Sequence, residues 1–432
     1  MSSTTIARVH GRRVWDSRGR PTVEAEVTLA GGAKGRGMAP AGASRGSREA
    51  VDLRDGGKRL RGLDVTQAVA NVAGPLATAI MGRDALDQAG IDAAIAAADG
   101  TPTKARLGGN ATIAVSMAVL HAAAAASGAP LWRHLAAGGA AGKAATLPMP
   151  EIQIFGGGAH AGRRVDLQDF MAMPVGAASF AEALVMVAEV YHAAGALMAE
   201  RGALMGVADE GGWWPDFRTN EEAIEALLRA IERAGYVPGQ EVAISLDVAA
   251  SEIGRGGRYR LGLEKRELDR DAFIALQLGW LERYPIVSIE DPLAEDDAKG
   301  MRAFMQATGG KVQVIGDDYL VTNAALVAEA AREGACNAVL IKPNQAGTIS
   351  ETKAALDAGK AAGFATIVSA RSGETEDVTI VHLATGWNAG QLKVGSFARS
   401  ERMAKWNEAI RIEEEAGLPF AGRGALAGRT RR

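Results

Sequence analysis

Ile286-Val287-Ser288-Ile289-Glu290, Val312-Gln313-Val314-Ile315-Gly316-Asp317 and Ala338-Val339-Leu340-Ile341-Lys342 decide how this chain folds. Each is a short run rich in Val and Ile that closes on one charged residue, and the charged ends at 290, 317 and 342 are 27 and 25 residues apart. That step fits successive βα units, because a parallel strand needs a helical crossover before the next strand can pair with it. Unbroken apolar runs, as opposed to alternation, suit strands covered on both faces. Moving outward, Ala243-Ile244-Ser245-Leu246-Asp247 precedes these runs, and Ala365-Thr366-Ile367-Val368-Ser369 and Gln391-Leu392-Lys393 follow them. The pattern predicts an α/β chain with a (β/α) barrel; a doubly wound open sheet shares the periodicity and is the alternative. In a barrel the reactive groups sit where strands end, on the C-terminal face. That rule selects Asp247, Glu290, Asp317, Lys342, the pair Arg371-Ser372 and Lys393.

Upstream the regime differs. Val23-Glu24-Ala25-Glu26-Val27-Thr28-Leu29 alternates like a half-buried strand and is followed by Ala-rich helical segments as far as Leu135. Ala136-Ala137-Gly138-Gly139-Ala140-Ala141-Gly142 is linker-like, and Pro148 and Pro150 open the next region. The division is therefore 1–135, a linker at 136–146, and a barrel at 147–432. Over the 432 residues, 48 basic and 51 acidic side chains nearly cancel to −3, which argues against a nucleic-acid partner or an acidic-membrane surface. A hydrophobic share of 47% with 23% charged excludes disorder as the dominant state. The single cysteine, Cys336, excludes an intramolecular disulfide and a thiolate metal cluster. The N-terminal residues lack a signal-peptide core, and Val115 to Trp132, interrupted by His121, Ser127 and Pro130, reads as a packed helix and not a span. A soluble, cytoplasmic protein with no membrane partner is expected.

Three carboxylates converging on one rim are costly unless a cation neutralises them. Hard oxygen ligands favour Mg²⁺ over zinc or copper. Lys342, after an apolar run, is either a snorkelling cap or a placed base, and near a metal and other cations its pKa would fall, making it competent as a proton acceptor. Lys393 adds fixed positive charge, and Arg371 with Ser372 can hold a phosphate or carboxylate. Together these groups suit proton abstraction beside the carboxylate of a small polyanion, with the enediolate stabilised by the metal.

These residues lie in longer motifs: Asp16-Ser17-Arg18-Gly19-Arg20-Pro21-Thr22-Val23-Glu24, Gly42-Ala43-Ser44-Arg45-Gly46-Ser47-Arg48-Glu49, Ala208-Asp209-Glu210-Gly211-Gly212, Ser288-Ile289-Glu290-Asp291, Gly316-Asp317-Asp318, Ile341-Lys342-Pro343-Asn344-Gln345 and Arg371-Ser372-Gly373-Glu374-Thr375-Glu376-Asp377. From about Ile6 to Glu415 the chain resembles the enolase family. The resemblance implies an N-terminal α+β capping domain, a modified TIM-like barrel, Mg²⁺ and a homodimer or higher homo-oligomer. It implies Asp247, Glu290 and Asp317 as metal ligands, Lys342 as general base and Glu210 as the partner acid, with Asp169 beside Glu210. It also implies His160 as the active-site histidine and Lys393 at the substrate carboxylate. Arg371 and Ser372 would take the phosphate, Ser44 lies on a mobile loop, and Gln168 and Arg45 join the substrate-binding set.

The departures from the family cluster at this site. Ala370 stands where the family has His, Asp169 where it has Glu, Ala159 where it has Glu, and Arg45 where it has Thr; Gly162-Arg163-Arg164 and Trp213-Trp214 are further changes. These replacements predict a pocket enlarged for a second, anionic and planar partner that Arg would neutralise and Trp would stack on. The expected enzyme is a diverged relative from phosphonate-antibiotic metabolism that handles 2-phosphoglycerate or phosphoenolpyruvate with a nucleotide-activated co-substrate. A glycolytic phosphopyruvate hydratase and a non-catalytic enolase-like binding protein are the alternatives.

Overall fold

The structure is a computed structural model that describes residues 2–137 and 145–427; the middle of the expected linker, 138–144, lies outside the described residues. Strands β1 (Ile6–Trp15), β2 (Pro21–Leu29) and β3 (Lys34–Met38) form an antiparallel sheet in that order. Helix α1 (Gly109–Ser127) lies across it, and 83% of its most apolar window is buried, which accounts for a stretch long and apolar enough to cross a membrane. The contact is close because small residues meet there. A Cβ at Gly35 would stand 2.2 Å from the Ala118 carbonyl oxygen and the Ala122 nitrogen, so only glycine lets helix and strand touch.

The second layer is a closed barrel of eight strands: β4 (Met149–Gly156), β5 (Asp169–Met173), β6 (Ala243–Asp247), β7 (Ile286–Glu290), β8 (Gln313–Gly316), β9 (Ala338–Ile341), β10 (Ala365–Ser369) and β11 (Gly390–Gly395). The open-sheet alternative is excluded by the closure of β11 on β4. The six runs read as strands from the sequence all occupy the barrel. The sequence periodicity missed the reversal that precedes them, since β5 runs antiparallel to both β4 and β6. Its first residue therefore lies at the rim where the other strands end, and Asp169 stands opposite both Gly156 and Asp247. Helices α2 (Phe180–Glu200) and α3 (Asn220–Arg233) connect β5 back to β6, opened by Ser179 and Thr219, whose hydroxyls accept the backbone N–H of Glu182 and Glu222 at 3.1 Å.

The barrel interior is divided. Ile315, Leu340, Ile367 and Ala427 form an apolar wedge. Beside it, fully buried Gln313 and Gln391 exchange amide hydrogen bonds at 3.0 and 2.9 Å, and Gln313 also donates to Ser288 at 3.0 Å and accepts the Ala427 N–H at 3.2 Å. The N-terminal layer is laid over the barrel mouth by backbone bonds: Ala41 and Gly373 exchange N–H···O bonds at 2.9 Å, and Ser17 donates to Glu374 at 2.8 Å.

Candidate active site

The expected rim residues come together, buried, at one end of the barrel. Lys393 Nζ lies 2.9 Å from Asp247 Oδ2, 2.8 Å from Glu290 Oε2 and 3.3 Å from Asp169 Oδ2. Burial opposes its charge, but Asp247, Glu290 and Asp169 outweigh that and hold the ammonium well above the usual lysine range. Lys342 Nζ pairs with Asp317, whose other oxygen accepts from Gln345 Nε2 at 2.9 Å. Burial alone would lower Lys342; the Asp317 carboxylate instead raises it. The physical reason is contact: the carboxylate touches the ammonium, whereas the cations do not.

His160 is turned to this centre on the short helical turn Gly158–Ala161. Its Nε2 lies 3.0 Å from Ser372 Oγ and 3.6 Å from Glu210 Oε1, and its Nδ1 is 3.3 Å from Asp169 Oδ1. Burial works against a charged ring, yet Glu210 and Asp169 raise His160 above its ordinary value. Asp169 is likewise opposed by burial but held well below the carboxylate range by Lys393 and His160. Gln168 Nε2 donates to Asp247 Oδ2 at 3.0 Å, so it supports a carboxylate at the rim.

Arg371 lines the same cavity, but its fork is already engaged. Nη1 lies 2.9 Å from Glu49 Oε2 and 3.1 Å from Asn344 Oδ1, and Nη2 is 2.9 Å from the Ser44 carbonyl and 3.2 Å from Glu49 Oε1. An arriving phosphate thus competes with Glu49. Glu49 closes the Gly42–Glu49 motif with no role legible there, because nothing in a loop sequence says which buried cation it will meet. Gln153 was also missed. It donates to Asp169 and accepts the Gly212 N–H at 2.8 Å, fixing both the shortened acid and the loop that carries Glu210. The signal was present as polar Glu151 and Gln153 alternating with apolar Ile152 and Ile154 on β4.

Several expectations are corrected. The cavity lined by Ala370, Asp169, Glu210, Lys342, Arg371 and Lys393 encloses about 10 Å³, room for one water, while these side chains are paired with one another. Oppositely charged side chains reach across the mouth to one another and fill it. Trp213 is not a platform for a planar ligand: it stacks on Tyr191 at 4.7 Å and donates through Nε1 to the Tyr191 carbonyl at 2.8 Å. Arg45 turns outward to Asp52 at 2.9 Å and lines a separate groove. Arg163 pairs with Glu252 at 2.6 Å and Arg164 with Asp216, each at the surface. Ser44 meets the site through its backbone carbonyl to Arg371 and also lines the cavity.

The trio Asp247, Glu290 and Asp317 fits a divalent cation by its chemistry. The donors are hard oxygens, and Glu290 Oε1 is buried with no hydrogen-bond partner. Burial, then the charge of Asp247, pushes Glu290 well above the usual range, with Lys393 opposing. The three do not by themselves close into one cluster, because Lys393 spans Asp247 and Glu290 while Asp317 faces Lys342. Among the described residues, the groups whose ligand atoms gather within 4.8 Å are His160–Asp169–Glu210 and Asp291–Asp317–Asp318. In the second, Asp291 is spent on structure: its oxygens accept the Asp317 and Asp318 N–H groups at 2.9 and 2.7 Å, and burial and Asp317 push it up to about 8.

A capped barrel with buried acids, two lysines and an imidazole gathered on its C-terminal rim has the architecture of a barrel enzyme, whose reactive groups sit where the strands end. The chain matches the description "Enolase, N-terminal domain" over residues 6–135 and "Enolase, C-terminal TIM barrel domain" over residues 144–429, and it belongs to the enolase family.

Proposed function

We propose that this chain is a Mg²⁺-dependent enzyme acting on 2-phosphoglycerate- or phosphoenolpyruvate-type substrates, of the carboxyphosphonoenolpyruvate synthase kind. It would transfer phosphonoformate from its nucleotide-activated form to the enol oxygen of the enolpyruvate unit, giving a carbon–phosphorus analogue of phosphoenolpyruvate; the nucleoside monophosphate leaves from the activated phosphonoformate, and the phosphate of 2-phosphoglycerate leaves as inorganic phosphate with no net change in water. Asp247, Glu290 and Asp317 would hold the metal, which supplies stabilisation of negative charge developing on the substrate carboxylate. Lys342 holds its proton while paired with Asp317 and becomes an acceptor once that carboxylate is engaged elsewhere. Lys393 neutralises the substrate carboxylate, and Ser372 and Arg371 take the phosphate as Glu49 yields. His160, held between Asp169 and Glu210, would face that phosphate through Ser372.

The observation that carries this reading is the engagement of Asp169. Its oxygens face Gln153, His160 and Lys393, so it orients its neighbours, while position 370 offers only a methyl group to the same cavity. The side of the pocket that would handle hydroxide in a hydratase has lost one imidazole, and its second acid is tied up. A second reading, phosphopyruvate hydratase, is favoured by the small cavity and by the presence of both Lys342 and Glu210 in its wall.

The test incubates the protein with Mg²⁺ and 2-phosphoglycerate in D₂O, following C2 proton exchange by NMR and the enol by ultraviolet absorbance. The expected result is exchange without enol accumulation at a housekeeping rate, with exchange about 10²–10⁴-fold slower in Lys342→Ala. Rapid enol formation establishes the hydratase instead, and absence of exchange removes the base assignment. Phosphorus NMR of a reaction containing phosphoenolpyruvate and cytidylyl-phosphonoformate then checks the second substrate.

A further inference from the structure

Glu151 has no part in the chemistry above, yet it occupies the interior of β4 with no exposed surface. It stands in register with Lys393 across the β4–β11 pairing, so both side chains share one face of the sheet. Its Oε2 accepts the Ser245 hydroxyl at 3.4 Å, and Ser245 precedes Asp247 by two residues on β6. That places the carboxyl one layer beneath the rim acids. Its Oε1 is buried without a hydrogen-bond partner, and among the described residues no ion pair reaches it. A carboxyl so placed costs several kcal/mol unless something nearby makes use of it.

Lys393 supplies the use. Its ammonium now rests on Asp247 and Glu290, the same two carboxylates a divalent cation would take. Two cations cannot share those oxygens without repulsion. A lysine giving up two of its three carboxylate contacts, in an interior that disfavours bare charge, needs negative charge elsewhere. Asp169 at 3.3 Å is one source, and the layer below holds the other.

We propose that Glu151 is a positioning residue for Lys393: it supplies the counter-charge that lets the ammonium release Asp247 and Glu290 to an incoming divalent cation. The groups that face it fit this role. Burial pushes its carboxyl up to about 7; Lys393 on β11 and the Ser245 hydroxyl on β6 pull it down, and Asp247 on β6 and Asp169 on β5 push it up.

The proposal rests on the metal reading of the rim, and the test keeps the two apart. Mg²⁺ is titrated calorimetrically into the whole protein as wild type, Glu151→Gln, Lys393→Met and the double variant, with thermal melting as a check on folding. Glu151→Gln is expected to weaken Mg²⁺ binding about tenfold in the wild-type background and not at all in the Lys393→Met background, where no ammonium competes. Glu151→Asp, which keeps the charge, is expected to restore most of the affinity and stands in if the glutamine variant does not fold. Unchanged affinity in Glu151→Gln, an equal loss in both backgrounds, or a loss in Glu151→Asp as large as in Glu151→Gln overturns the proposal. Absence of Mg²⁺ heat in the wild type overturns the metal reading itself, and this proposal with it.

Discussion

Replacing Glu49 by leucine removes the only carboxylate bonded to the Arg371 guanidinium among the described residues, in a place that solvent hardly reaches: Glu49 is 8% exposed and Arg371 4%. The pair is two-pronged, at 2.9 and 3.2 Å. Removing one member of a buried ion pair leaves the other uncompensated, a loss of about 3–5 kcal/mol. Arg371 would keep the neutral acceptors Asn344 Oδ1 at 3.1 Å and the Ser44 carbonyl at 2.9 Å, which places the loss near the lower end of that range. Glu49 Oε1 also accepts the Gly46 N–H at 3.0 Å. Leucine leaves that donor bare, adding about 1 kcal/mol. The expected cost of Glu49→Leu is therefore about 4 kcal/mol, and of Glu49→Gln, which keeps an acceptor, about 2 kcal/mol. Because buried pairs replaced by apolar groups recover much of their cost, Glu49→Leu with Arg371→Leu should be more stable than Glu49→Leu alone. Urea denaturation of the three variants at neutral pH measures this. A loss below about 1 kcal/mol in Glu49→Leu, or no recovery in the double variant, refutes the view that Glu49 clamps Arg371.

Two further outcomes are expected. His382 is pushed down to about 4 by burial and by nearby His121, with Asp377 only partly opposing. With the folded value below the unfolded one, its contribution is complete above about pH 6.5 and is lost as pH falls toward 4, up to about 3 kcal/mol. Urea midpoints at pH 7 and 4.5 should therefore draw together in His382→Gln; equal losses in both proteins would remove His382 as the cause. Ala370→His combined with Asp169→Glu should raise enol formation from 2-phosphoglycerate, since it returns an imidazole and a longer acid to one wall of the cavity. No gain in ultraviolet absorbance would show that these positions do not mark the change of chemistry.

The barrel was legible in the sequence because burial on both faces leaves unbroken apolar runs, and a crossover helix sets their spacing. The rim residues were legible for the same reason: a charged residue closing a buried strand can only be at the mouth, as Asp247, Glu290 and Lys342 are. The antiparallel β5 was not legible, because the antiparallel turn from β4 removes the helix from the rhythm, and Asp169 looks like a strand start and not a strand end. Roles that depend on partners distant in the chain stayed hidden as well. Glu49 beside Arg371, 322 positions away, is set by which loop the cap lays over the barrel mouth. The one-dimensional pattern thus determined which side chains reach the rim. Only the closed tertiary structure decided which of them are spent on one another, because charge pairing in a dry cavity is settled by distances of a few ångströms between residues hundreds of positions apart.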